Sequence, residues 1–103
     1  MSYKIRYLPL AAEDLDRMAE YLGRFYPQTA GNMLRDIEKK LEGLAQMPEM
    51  YEEYPENPFY RRMVIGKYLV FYHVDQENSR VNIYRVIRGT WDIEKEISEH
   101  SGR

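Results

Sequence analysis

The sequence predicts one α+β domain: a strand, a two-helix antiparallel hairpin, then three antiparallel strands and a short C-terminal helical tail. Three observations carry that prediction. Apolar residues recur at three- and four-residue steps from Ala11 to Gln46, interrupted once at Pro27. From Phe59 the pattern changes to two-residue alternation rich in tyrosine, valine and isoleucine. Between the two regimes lies Pro48–Pro58, whose three prolines and four acids (Glu49, Glu52, Glu53, Glu56) read as a solvated loop.

The first strand is Tyr3–Leu8, alternating through Tyr3, Ile5 and Tyr7 and ended by Pro9. The first helix spans Ala11–Tyr26, with Ala11, Leu15, Met18, Ala19, Leu22, Phe25 and Tyr26 on one face. Glu13, Asp14, Arg17, Glu20 and Arg24 fall on the opposite, solvent side, and Glu13, Asp14 and Asp16 sit near the positive end of the helix dipole. A tight turn at Pro27 leads to the second helix, Thr29–Gln46, with its stripe at Met33, Leu34, Ile37, Leu41, Leu44 and Ala45. Leu15, Leu22, Ile37 and Leu41 are expected to face the sheet.

The strands Phe59–Ile65 and Tyr68–Val74 are joined by Gly66-Lys67, a two-residue turn of the kind hairpins favour. The last strand, Arg80–Ile87, follows the polar loop Asp75–Ser79. In the middle strand Val70, Tyr72 and Val74 point one way, and Leu69, Phe71 and His73 the other. A sheet apolar on both faces needs two covers. The helical hairpin supplies one; the other falls to the segment Asp92–His100, to a partner, or to both.

With 103 residues the chain is the size of one domain, and residues 1–103 are read as such. There is no cysteine, which excludes a disulfide framework, a thiolate metal site and a cysteine nucleophile. The N-terminal residues show no signal peptide, and the longest apolar run, Tyr68–Tyr72, is far too short to span a bilayer. The net charge of −2 conceals an asymmetry: Phe59–Arg88 holds six basic residues against two acidic ones. That segment is either an ordinary charge mixture or a patch for phosphate or an acidic protein. The acidic whole argues against general nucleic-acid binding. His73 and His100 are too far apart in sequence to suggest a metal site, and no glycine-rich phosphate loop occurs. No metal or cofactor is expected.

The order of elements resembles the RelE/ParE superfamily of toxins from bacterial type II toxin–antitoxin modules, and local features resemble its ParE branch. Tyr3-Lys4-Ile5-Arg6-Tyr7-Leu8-Pro9 followed by Ala12-Glu13-Asp14-Leu15 is similar to the family's first strand and its "A-x-x-D-L" helix start. Arg61-Arg62-Met63-Val64 and Gly66-Lys67-Tyr68-Leu69-Val70-Phe71-Tyr72 resemble its central hairpin. Tyr84-Arg85-Val86-Ile87-Arg88-Gly89-Thr90-Trp91-Asp92 resembles its "R-V-x-H-G-x-R-D" end, with Arg88 in place of the histidine and Trp91 in place of the arginine. The resemblance covers Tyr3 to Asp92. It implies a cytoplasmic bacterial toxin of the kind that serves plasmid stabilization, held inactive by a cognate antitoxin. ParE-like members act on DNA gyrase; RelE-like members cut mRNA in the ribosome. A degenerate module that binds antitoxin without toxicity has the same sequence signature.

Cleavage of RNA through its 2′-hydroxyl needs a base, positive charge for the phosphorane and an acid for the leaving oxygen. Arg61 matches a basic position of the RelE branch. The arginine that branch carries after its middle-strand tyrosine is here Leu69, and its next arginine is Gly89 or Trp91; its terminal tyrosine has no match in Asp92–His100. If this chain is a ribonuclease, Arg61, His73 and Arg88 are the candidates; otherwise no catalytic residue is assigned. His73 reads more simply as a partly buried sheet histidine. The resemblance therefore favours a protein that acts by binding, with Arg61, Leu69, Phe71, Arg85, Arg88 and Trp91 as its partner contacts.

Overall fold

The computed structural model describes residues 2–89; Trp91, His100 and the predicted tail Asp92–His100 lie outside the described residues. The elements follow the predicted order: β1 (Lys4–Tyr7), α1 (Pro9–Phe25), α2 (Pro27–Gly43), β2 (Arg61–Ile65), β3 (Tyr68–Asp75) and β4 (Arg80–Arg88). β2, β3 and β4 form the expected antiparallel meander. β1 completes it as a fourth strand, parallel to β4, giving the order β1-β4-β3-β2. The parallel pairing follows from the helical hairpin, which separates β1 from the meander and forms the crossover between parallel strands.

Both helices begin two residues earlier than the apolar pattern suggested, and for one reason. Pro9 and Pro27 occupy first-turn positions, where a missing N–H has no intrahelical partner to lose and the fixed φ suits the helix. Pro9 thus ends the strand and starts the helix. The earlier start also moves Glu13, Asp14 and Asp16 out of the first turn, so the dipole role expected of them does not apply. Only Tyr26 separates α1 from α2. Phe25 and Tyr26, predicted for the apolar face, lie at the hairpin tip and are exposed.

The β2–β3 turn is the predicted one, with Gly66 at φ 60°, a conformation that favours glycine. The β3–β4 loop is held by Asp75, whose carboxylate accepts from the backbone N–H and the side-chain amide of Asn78. The β3–β4 register slips once: Phe71 faces Arg85 while Tyr72 faces Ile83, so Tyr84 is an extra residue on β4. That bulge changes which side chains face which way. Val81 and Ile83 face the helices before it and Val86 after it, while Tyr84 and Ile87 belong to the other face.

The core between helices and sheet contains Ala11, Met18, Ile37, Leu41, Leu44, Met63, Val70, Tyr72, Val81 and Ile83, with Leu15, Leu22, Met33 and Leu34 packed against it. All four residues expected at this interface are there. The opposite face carries a second, smaller core of Tyr54, Tyr60, Phe71, Tyr84 and Ile87. Here the loop Pro48–Pro58 departs from its expected solvated role. Tyr54 and Tyr60 bury their rings on the sheet, Tyr54 edge-on to Phe71 at 5.0 Å and Tyr60 stacked on Tyr84 at 4.6 Å. Backbone bonds tie the loop down: Tyr54 N–H to Tyr60 C=O, and Arg62 N–H to Glu52 C=O on the outer edge of β2. Its prolines and acids dominate its composition, but two tyrosines decide its position.

Candidate partner-binding surface

Asp14 lies three residues after Ala11 and four before Met18, on the buried stripe of α1 rather than on its solvent side. Its carboxylate meets the guanidinium of Arg85 in a two-pronged contact, Nε to Oδ2 at 2.7 Å and Nη2 to Oδ1 at 2.9 Å. The same Oδ2 accepts the backbone N–H of Val86 at 2.9 Å. The reason lies in the topology. β1 pairs with β4 only as far as Ile83, whose carbonyl takes the N–H of Leu8. Beyond that point β4 has no neighbouring strand on this side, and Asp14 supplies the missing acceptor.

Two predicted partner contacts are therefore corrected. Arg85 is 3% exposed and serves Asp14, and Phe71 is fully buried against Tyr54. Neither can meet a partner without opening the fold. Leu69 is half-buried and packs against the second core.

Arg61 is also used internally. It donates from Nη1 to the carbonyl of Tyr51 at 2.6 Å, and its Nη2 lies 3.9 Å from Glu49 Oε2. Beside it, Tyr72 Oη donates to the carbonyl of Pro48 at 3.0 Å. Together these two side chains fix the start of the loop against β2 and β3. Burial raises the Tyr72 phenol to about 12, with the positive charge of Arg61 opposing the shift. Arg62 points to the other face, as alternation requires, and its guanidinium lies over the Tyr54 ring at 5.5 Å. His73 stacks on Phe59 at 4.0 Å.

Arg88 sits at the other end of the sheet. It pairs in register with Tyr68, while Arg61 pairs with Tyr72, four residues further along β3. At strand rise, that separates the two positions by about 13 Å. The three ribonuclease candidates do not converge: Arg61 and His73 share one end, and Arg88 is alone at the other. Among the described residues, no three His, Cys, Asp or Glu side chains could hold a metal ion, and no helix is long and apolar enough to cross a membrane.

Arg88 is exposed and lines two open clefts on the helix side of the sheet. The larger, about 810 Å3, lies between α2 and the β2–β3 turn. The smaller, about 510 Å3, lies against α1, and Tyr68 borders both. Sequence reasoning missed this side because it assumed that the helical hairpin covers its sheet face completely.

Solved structures share this helical hairpin laid across a four-stranded sheet of order β1-β4-β3-β2. The chain is similar to the chromosomal ParDE toxin–antitoxin system of P. aeruginosa, with a TM-score of 0.72 and 21% identity over 84% of this chain and 96% of that one. It is similar to the RelBE2 toxin–antitoxin complex of Mycobacterium tuberculosis, with a TM-score of 0.62 and 20% identity over 85% and 99% of the two chains. A mutant of the E. coli toxin RelE in the free state aligns over 100% of both chains with a TM-score of 0.72 and 14% identity. No curated protein matches the sequence. The family model for the ParE toxin of the type II toxin–antitoxin system parDE matches residues 5–92. The chain belongs to the ParE toxin family.

Proposed function

We propose that this toxin acts by binding DNA gyrase and is neutralised by a cognate antitoxin. Membership in the ParE family supports the reading. The observation that carries it is the dispersal of the cleavage candidates: Arg61 holds a loop carbonyl and Glu49, and Arg88 stands about 13 Å along the sheet from it. General acid–base cleavage needs its groups within hydrogen-bond reach of one phosphate. A toxin that captures its target needs no such convergence. The antitoxin partner is supported by two similar structures, which are toxin–antitoxin systems.

A ribosome-dependent mRNA endonuclease is the second reading, supported by the full-length fold likeness to RelE. Induced expression without antitoxin separates the readings in cells. The gyrase reading expects filamentation and DNA-damage signalling. An immediate halt of translation with transcripts cut at the ribosomal A site supports the endonuclease instead. Unchanged growth at full expression points to a module without a target.

A further inference from the structure

The smaller cleft, against α1, gathers three arginines and two tyrosines: Arg17, Arg24 and Tyr21 from α1, Tyr68 from β3 and Arg88 from the end of β4. Each guanidinium is held loosely. Arg17 reaches Asp14 Oδ1 at 3.3 Å, the outermost contact of a carboxylate that Arg85 already grips at 2.7 and 2.9 Å. Arg24 makes one 3.3 Å contact with Glu20, and an ion pair so exposed to water holds weakly. Arg88 forms no salt bridge among the described residues. The backbone adds a further donor. Gly89 N–H donates to Lys67 C=O on the β3 side, so alternation turns the Arg88 N–H the other way, to the side on which Asp14 takes the Val86 N–H. β1 has ended by then, and no strand accepts it. Beside these donors lies apolar surface. Tyr21 is 62% exposed, its ring braced edge-on by Phe25 at 5.5 Å, and Met18 and Val86 line the wall.

We infer that this cleft binds a nucleoside polyphosphate, its phosphates taken by Arg17, Arg24 and Arg88 and its base set against Tyr21. Guanidinium groups pair two-pronged with phosphate oxygens, and they exchange a weak surface carboxylate for a stronger anion. A base stacks on an aromatic ring whatever its sequence identity. The volume, about 510 Å3, is that of a small-molecule site. A peptide added as a strand fits less well, because the open edge of β4 runs only from Val86 to Arg88 and Asp14 already holds one of its N–H groups. A nucleic-acid strand also fits less well, because its binding draws on broad positive charge and this chain is acidic overall. The ligand site goes beyond the gyrase reading and does not depend on it.

The test is calorimetric titration of the full chain, without antitoxin, using ATP, inorganic triphosphate and adenosine as probes. ATP should bind one site about 10-fold more tightly than triphosphate, and adenosine more weakly than either. Arg24 and Arg88 are exposed, so Arg24→Gln and Arg88→Gln should keep the wild-type unfolding temperature. Each should weaken ATP about 10-fold, the scale of one hydrogen bond to a charged group. Tyr21→Ala should weaken ATP and leave triphosphate unchanged. Arg80→Gln, exposed at the far end of β4, should alter neither. Triphosphate binding as tightly as ATP overturns the nucleoside assignment and leaves an anion site only. No binding of ATP at millimolar concentration, or an equal loss in Arg80→Gln and Arg88→Gln, overturns the site itself.

Discussion

Asp14 on α1 and Arg85 on β4 are 71 residues apart in sequence and form a buried ion pair at 2.7 Å, each side chain 4% exposed. The pair joins the helical hairpin to the sheet where β1 stops, and Asp14 also satisfies the N–H of Val86. Removing one member leaves the other charged and buried, so Asp14→Ala or Arg85→Ala should cost about 3–5 kcal/mol. Replacing both with apolar residues of similar size should cost much less, with about 1–3 kcal/mol remaining for the unsatisfied Val86 N–H. Urea unfolding of the two single variants and the double variant gives all three values. A loss in the double variant equal to the sum of the two single losses would show that the pair is not coupled.

The helix–sheet core is the second quantity open to test. Ile37 and Leu41 are 1% and 0% exposed and lie among Met63, Val70 and Ile83. Ile37→Ala and Leu41→Ala should each cost about 2–5 kcal/mol by chemical denaturation. A loss within about 0.5 kcal/mol at both positions, as for surface changes, would contradict the packing.

Arg61 should behave as a clamp on the loop. Arg61→Ala removes the donor to Tyr51 and the contact with Glu49, so the amides of the 49–54 segment should exchange hydrogen faster while those of α2 do not. Faster exchange spread over the whole domain would mean that Arg61 supports global stability rather than the loop.

Tyr72 and Tyr84 give the fold an alkaline limit. Burial raises both phenols to about 12, from an ordinary value of 10.0. Between those values the folded state keeps protons that the unfolded chain has released. Their contribution is complete below about pH 10 and is lost as the pH rises through about 12. Tyr72→Phe should flatten part of that decline, while forfeiting about 1 kcal/mol for the bond to Pro48. Denaturant midpoints measured against pH check the slope; identical slopes for variant and parent would contradict it.

Most of the fold was legible in the sequence because periodicity reports burial directly. The four helix residues expected at the sheet, and the alternation of Val70 and Tyr72 against Leu69 and Phe71, are where the pattern placed them. The site was less legible, because charged residues carry no periodic signal that separates a buried pair from a solvated face. Asp14 did leave a trace: an acid at the spacing of Ala11 and Met18 belongs to the buried stripe, and a strand as apolar as β4 needs a reason for Arg85. The tyrosine cover on the second face was hidden by the acids and prolines around Tyr54. The bulge at Tyr84 has no sequence marker at all, and it decides how the last strand divides between the two cores.

The central claim, a toxin that acts by binding gyrase, is tested most directly in two purified reactions with the antitoxin-free chain. One is DNA supercoiling by gyrase; the other is translation on programmed ribosomes with the mRNA ends mapped. The account predicts a dose-dependent loss of supercoiling that added antitoxin reverses, with mRNA left intact. Cleavage of mRNA at the ribosomal A site, with supercoiling unaffected at the same concentration, would contradict it.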